Sequence, residues 1–168
     1  NLVEAHNNLG NVYSQSGARE EAVRHYNLAL SATKKAEDAA QPSAASAAEI
    51  WANLADVYRQ AGDNQQAEQA IRQALLLDDG QARYWAIKGR IAWQSADSLE
   101  ARRAFERSLV HNGGQARVHA ELGEILLAGG QSEEAMRYFE KAVQLDQNSS
   151  RAWYGWATAA RTKGDSAT

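Results

Sequence analysis

The chain has 168 residues, 18 basic and 21 acidic side chains, and a formal net charge of -3. That length fits one domain or two small ones, and the charge balance lacks the basic excess that a polyanion-binding face carries, so no nucleic-acid partner is expected. Cysteine is absent, which excludes disulfide scaffolds, thiolate metal sites and cysteine nucleophiles, and leaves the redox compartment open.

Alanine supplies 34 residues, serine 12 and glycine 12, against one proline. Together with leucine, glutamate, glutamine and arginine this is helix-forming chemistry, and it argues against an all-β fold. Apolar runs such as Ala74 to Leu77 fall far short of the ~18 to 20 residues of a membrane span, so no membrane insertion is expected. A cytoplasmic and a periplasmic location are equally compatible. The chain starts at Asn1 rather than methionine, and a piece of a longer protein is the expectation.

In chain order, helices are predicted near 2–15 and 19–38, 46–61 and 64–77, 82–95 and 98–111, 116–129 and 132–145, and 150–163. The pattern behind them repeats. Asp79 to Trp85, Gly113 to His119 and Gln147 to Trp153 align without gaps at 34-residue spacing. Taking position 1 at Val3, Ala48, Ala82, Ala116 and Ser150 gives units at about 3–36, 48–81, 82–115 and 116–149, then a half unit at 150–168. An insert at about 37–47, within Thr33 to Ala47, separates the first two units. A lengthened helix broken at Gln41, before Pro42, is its simplest reading; an alanine-rich linker between two subdomains is the alternative.

Small residues recur at position 8 (Gly10, Ala55, Gly89, Gly123, Ala157) and at position 20 (Ala22, Ala67, Ala101, Ala135). Position 27 holds Ala29, Ala74, Ser108 and Ala142, and position 24 is always large and apolar: Tyr26, Ile71, Phe105, Phe139. Position 4 carries a ring throughout: His6, Trp51, Trp85, His119, Trp153. Positions 4, 7, 8 and 11 form an i, i+3, i+4, i+7 stripe on one helix, and 20, 24 and 27 a stripe on the next. Gly17, Gly62, Gly130 and Gly164 at position 15, with Ala96 as the exception, suit a left-handed helix end. Small residues let the two helices approach, and neighbouring hairpins must stack to bury both stripes.

These residues resemble the tetratricopeptide repeat family, most closely in Leu9, Gly10, Tyr13, Ala22, Tyr26 and Ala29 and in Trp51, Leu54, Ala55, Tyr58, Ala67 and Ala74. The departures are Lys34, Asp79, Gly113 and Gln147 at position 32, where the family has proline, and Lys88 and Ala92 in the third unit. The resemblance implies an all-α, right-handed α-solenoid of about four and a half hairpins. It also implies a non-catalytic module that takes a protein or peptide partner in a groove lined by the first helices. In the half unit, Trp153, Trp156 and Ala160 are expected against unit four. The weakly polar run Ala157 to Ala160 points either to further chain or to pairing with another copy through this helix. A regulatory arm of a larger multidomain enzyme or of a secretion or assembly complex is a third reading.

No phosphate loop, dinucleotide fingerprint, serine-hydrolase elbow or paired-histidine metal motif occurs. Catalytic residues, cofactors and metal ligands are therefore not expected. His6 and His119 lack a second ligand four residues on and read as rings at the core's edge. Asp78-Asp79 and Glu133-Glu134 read as turn and first-turn carboxylates. The groove positions implied by the resemblance select Asn7, Asn8, Asn11 and Asn53 for peptide backbone, since an amide both donates and accepts. They select Arg83, Arg90, Arg117 and Arg151 for acidic side chains, with Asp56 and Trp93 completing the face. The family's two-carboxylate clamp for chaperone tails is matched at Asn11 and Asn53, approximated at Arg83, and fails at Asn7 and Ile87, so that ligand is not expected.

Overall fold

The computed structural model describes residues 2–38 and 44–165, and among them every regular element is a helix. In order these are α1 (Leu2–Gln15), α2 (Arg19–Asp38), α3 (Ala44–Gln60), α4 (Asn64–Leu77), α5 (Ala82–Gln94), α6 (Ser98–His111), α7 (Ala116–Ala128), α8 (Ser132–Leu145) and α9 (Ser150–Asp165). The break expected at Gln41 and Pro42 lies outside the described residues.

The turns inside the hairpins use the residues singled out for them. Gly17, Gly62 and Gly130 have φ of 80°, 79° and 77°, and Ala96 takes the same left-handed conformation at 61°. The side chains of Asp63 and Asp97 then cap α4 and α6 by accepting from the N–H of Gln66 and Glu100. Between hairpins, Asp78, Asn112 and Asp146 each accept from the backbone N–H two residues on, at 2.9, 2.9 and 3.0 Å. Asp and Asn make such turns by accepting from the backbone two residues on, which gives Asp78 its role.

α1 packs on α2, α3 on α4, α5 on α6 and α7 on α8, while α9 lies on α7 and α8. First helices also touch across hairpins, α1 with α3, α3 with α5 and α7 with α9, so the hairpins stack as a helical repeat solenoid. Ala22, Ala67, Ala101 and Ala135 are all fully buried, as are Ala29, Ala74, Ser108 and Ala142. The small residue at position 8 faces the large one at position 24. A Cβ added to Gly10 would lie 2.5 Å from Tyr26, one on Gly89 2.6 Å from Phe105, and one on Gly123 2.8 Å from Phe139. Unit two, with Ile71 in place of a ring, has Ala55 at position 8.

The third unit differs where its sequence departs from the pattern. Lys88 replaces an apolar residue and pairs with Glu100 at 2.7 Å. Ala92 stands where Tyr13 and Tyr58 stand in units one and two. A cavity of about 560 Å³ lined by Lys88, Ala92, Glu100, Glu68 and Arg72 occupies that region.

α9 runs through Gly164 to Asp165, two residues beyond its predicted end. Glycine permits a left-handed turn without imposing one, and Gly164 has no positive φ. Ala152 and Ala159 fill the core with Phe139. Trp153 and Trp156 stay 50% and 37% exposed, so the expected packing on unit four is only partial.

Candidate functional site

Polar residues at position 6 organise the face formed by the first helices. Asn53 of α3 is 6% exposed. Its Nδ2 donates to Oδ1 of Asn7 and of Asn11, both at 3.2 Å, and its Oδ1 accepts from Nη2 of Arg83 at 2.6 Å. The Tyr26 hydroxyl donates to Asn11 Oδ1 at 2.7 Å, and burial pushes its pKa up to about 12. Three successive first helices thus meet at one amide. A cavity of about 160 Å³ opens beside it, lined by Asn11, Ser14, Gln15, Tyr26, Asn53, Asp56 and Arg83.

The same arrangement recurs in the C-terminal half with charges in place of amides. Glu121 of α7, also 6% exposed, accepts from Nε of Arg90 at 2.8 and 3.1 Å and from Nε of Arg117 at 3.0 Å. Arg151 of α9 lies 3.6 Å from the same carboxylate and forks onto Glu124. That fork raises the Arg151 pKa further, with its hydrogen bond to Glu124 as the largest cause. In repeat terms, a residue at position 6 receives position 9 of the unit before and position 2 of the unit after. Asn11–Asn53–Arg83 and Arg90–Glu121–Arg151 are the two instances. Between them the pattern fails because Ile87, buried, occupies position 6. Asp56 therefore pairs with Arg59 at 2.7 Å, and Arg117 turns along its own helix.

The structure brings Asn7, Asn11, Asn53 and Arg83 together, and separately Arg90, Arg117 and Arg151. The three arginines share two carboxylates rather than forming an open row. Asn8 occupies position 6 in unit one, yet it is exposed, because no hairpin within the described residues precedes α1. Trp93 is exposed near the end of α5. The relay through position 6 was missed in the sequence, although its partners stand 30 and 31 residues apart, just short of the repeat.

A second arrangement was also missed. His25 of α2 comes within hydrogen-bond reach of His6, Nδ1 to Nδ1 at 3.0 Å, and stacks on Tyr13. His119 Nε2 faces the carbonyl of Gly113 at 3.0 Å, as Trp85 and Trp153 donate to Asp79 and Gln147. A carbonyl only accepts, so Nε2 carries the proton. Among the described residues no group of three or more histidine and acidic side chains converges as metal ligands would. Glu133 and Glu134 are committed to cations: Glu133 to Lys163, which lowers its pKa chiefly by a hydrogen bond, and Glu134 to Arg102.

Tetratricopeptide repeat profiles match residues 5–40, 48–80, 88–150 and 121–167. The chain belongs to the tetratricopeptide repeat (TPR) family. Among curated proteins none matches it by sequence. Solved TPR-like folds superpose over nearly its whole length. A crystal structure of MamA is 20% identical with a TM-score of 0.78, covering 97% of this chain and 83% of the other. Pseudomonas aeruginosa pilF is 23% identical with a TM-score of 0.84, covering 98% and 70%. YrrB, described as a TPR protein with an unusual peptide-binding site, is 18% identical with a TM-score of 0.72, covering 95% and 76%. TPR proteins bind protein or peptide partners, and this chain is a protein-interaction scaffold of a fold that is typically non-catalytic. Among the described residues no helix is long and apolar enough to cross a membrane.

Proposed function

We propose that the chain is a single TPR domain that binds an acidic peptide segment of a protein partner in the groove of its first helices, at the N-terminal half. The observation that carries this is the state of Arg83. Arg90, Arg117 and Arg151 already face Glu121 and Glu124, whereas Arg83 hydrogen-bonds the neutral amide of Asn53. A guanidinium held by a neutral acceptor keeps its charge for a ligand carboxylate, which it can meet with two parallel N–H bonds. Asn11 lines the same cavity, Asn7 joins it on the Asn53 amide, and exposed Asn8 adds both donor and acceptor for peptide backbone. Asp56 lines the same cavity but is matched by Arg59.

The test is selection of random twelve-residue peptides on the immobilised chain, followed by fluorescence anisotropy of the winners. The reading expects recovered peptides to carry an acidic residue and to lose at least tenfold in affinity to Arg83→Glu, with a smaller loss to Arg117→Glu. Winners that bind Arg83→Glu as tightly as the unaltered chain would reject it.

A further inference from the structure

The row of side chains that contains Arg83 changes sign along the groove. Position 2 of the repeat is Glu4, Glu49, Arg83, Arg117 and Arg151 on successive first helices. From this position Arg83 reaches back to Asn53 of the unit before at 2.6 Å, and Arg151 reaches back to Glu121 and Glu124. The same step back from Glu49 leads to Asn8 and Asn11, but Glu49 makes no such contact. It is exposed, and among the described residues it has neither a hydrogen bond nor an ion pair.

Glu49 and Arg83 nevertheless share one neighbourhood. Glu49 and Asn53 stand at i and i+4 on α3, so their Cβ atoms lie about 5–6 Å apart on one face. Asn53 is where the Arg83 guanidinium rests. The hydroxyls of Tyr26 and Tyr84 feel both charges: burial is the main cause of their raised pKa values, Glu49 adds to the rise and Arg83 opposes it. Asp56, the other carboxylate of this cavity, is already matched by Arg59.

An acidic side chain that docks on Arg83 therefore brings a second carboxylate to roughly one helical turn from Glu49. Like charges at that distance repel, and a cation carried by the ligand beside its own carboxylate offsets the repulsion. Along an extended segment, residues i and i+2 point to the same side and lie about 6.6 Å apart, close to the one-turn spacing of Glu49 and Asn53. We infer, on the basis of the groove binding proposed above, that the preferred segment is extended and carries Lys or Arg two residues from its acidic residue, the cation on Glu49 and the anion on Arg83. Glu49 then sets specificity. It selects against polyacidic segments that Arg83 alone would accept, and the two opposite charges together read a mixed-charge pair.

The test repeats the twelve-residue peptide selection on three immobilised forms of the 168-residue chain: unaltered, Glu49→Gln and Glu49→Arg. Peptides recovered on the unaltered chain should show Lys or Arg two residues from Asp or Glu at least fivefold more often than the unselected library. Glu49→Arg should erase that enrichment and favour a second acidic residue in its place. In anisotropy titrations, changing the basic residue of a selected peptide to serine should weaken binding at least fivefold on the unaltered chain and less than twofold on Glu49→Gln. Peptides that carry an acidic residue and depend on Arg83, yet lack the basic partner or lose the same factor on Glu49→Gln, would overturn this inference and leave the acidic-segment reading standing. Peptides indifferent to Arg83→Glu, or the recovery of no binding peptide, would sink both.

Discussion

Gly123 and Phe139 meet so closely that no methyl group fits between them: an added Cβ would lie 2.8 Å from the ring. Phe139 is fully buried and also lies against Gly155, where a Cβ would come closer still. The ring therefore has little freedom to retreat. Gly123→Ala should destabilise the chain by about 1–3 kcal/mol, the usual cost of overpacking a well-filled core. Unit two shows the remedy, since Ala55 there accompanies Ile71. Phe139→Ile added to Gly123→Ala should cost clearly less than the sum of the two single changes in a urea double-mutant cycle. Strict additivity would refute the pairing.

Ala96 ends α5 with φ of 61°, where the other hairpins use glycine. A Cβ in that conformation costs roughly 1–2 kcal/mol, part of which glycine returns through the greater freedom of the unfolded chain. Ala96→Gly should therefore stabilise by about 1 kcal/mol, which is roughly 2–4 °C in Tm for a chain of this size. The reverse change at Gly62, φ 79°, should lower Tm by a similar amount. Calorimetry on both variants checks the sign.

The hairpins were legible because their determinants are local or nearly so. Small residues at 8, 20 and 27, a large one at 24 and glycine at 15 each act within one unit, where sequence spacing fixes who meets whom. Asn53 and Glu121 were harder. Their position in the repeat was evident, but their partners come from the units before and after, and hairpin stacking decides which side chains arrive. Arg90 and Arg117 thus read as open to acidic ligands, whereas a single buried glutamate gathers them. His25 was not legible, because it meets His6 across the hairpin, 19 residues away, rather than along one helix.

The Tyr26 phenol is 2% exposed and donates to Asn11, and burial raises its pKa to about 12. In the unfolded chain the same group ionises near pH 10. The unfolded state thus loses its proton first, so stability is full below about pH 10 and declines as pH climbs through about 12. Burial also raises Tyr58, Tyr84 and Tyr138, so Tyr26→Phe should flatten that decline without abolishing it. Urea midpoints at a series of alkaline pH values would show it. An unchanged slope would place the alkaline sensitivity in the other tyrosines.

Glu121 and Glu124 look alike in sequence, both acidic residues of α7 facing Arg151, yet the structure gives them different weight. The Glu121 side chain is 7% exposed and is shared by Arg90, Arg117 and Arg151, while Glu124 is 33% exposed and meets Arg151 alone. Glu121→Gln removes the anion around which three guanidiniums gather. Arg90, 19% exposed, cannot turn fully to water, so the cost should approach about 3 kcal/mol, the lower bound for a broken buried pair. Glu124→Gln should cost less than about 1 kcal/mol, as exposed bridges do. Salt separates the two further. The arginines left unmatched by Glu121→Gln repel one another, and raising ionic strength from 0.01 M to 1 M, which shortens the Debye length from about 30 to about 3 Å, should recover part of that loss. Equal costs for the two variants in urea unfolding would mean that Glu121 does not organise the C-terminal half of the groove.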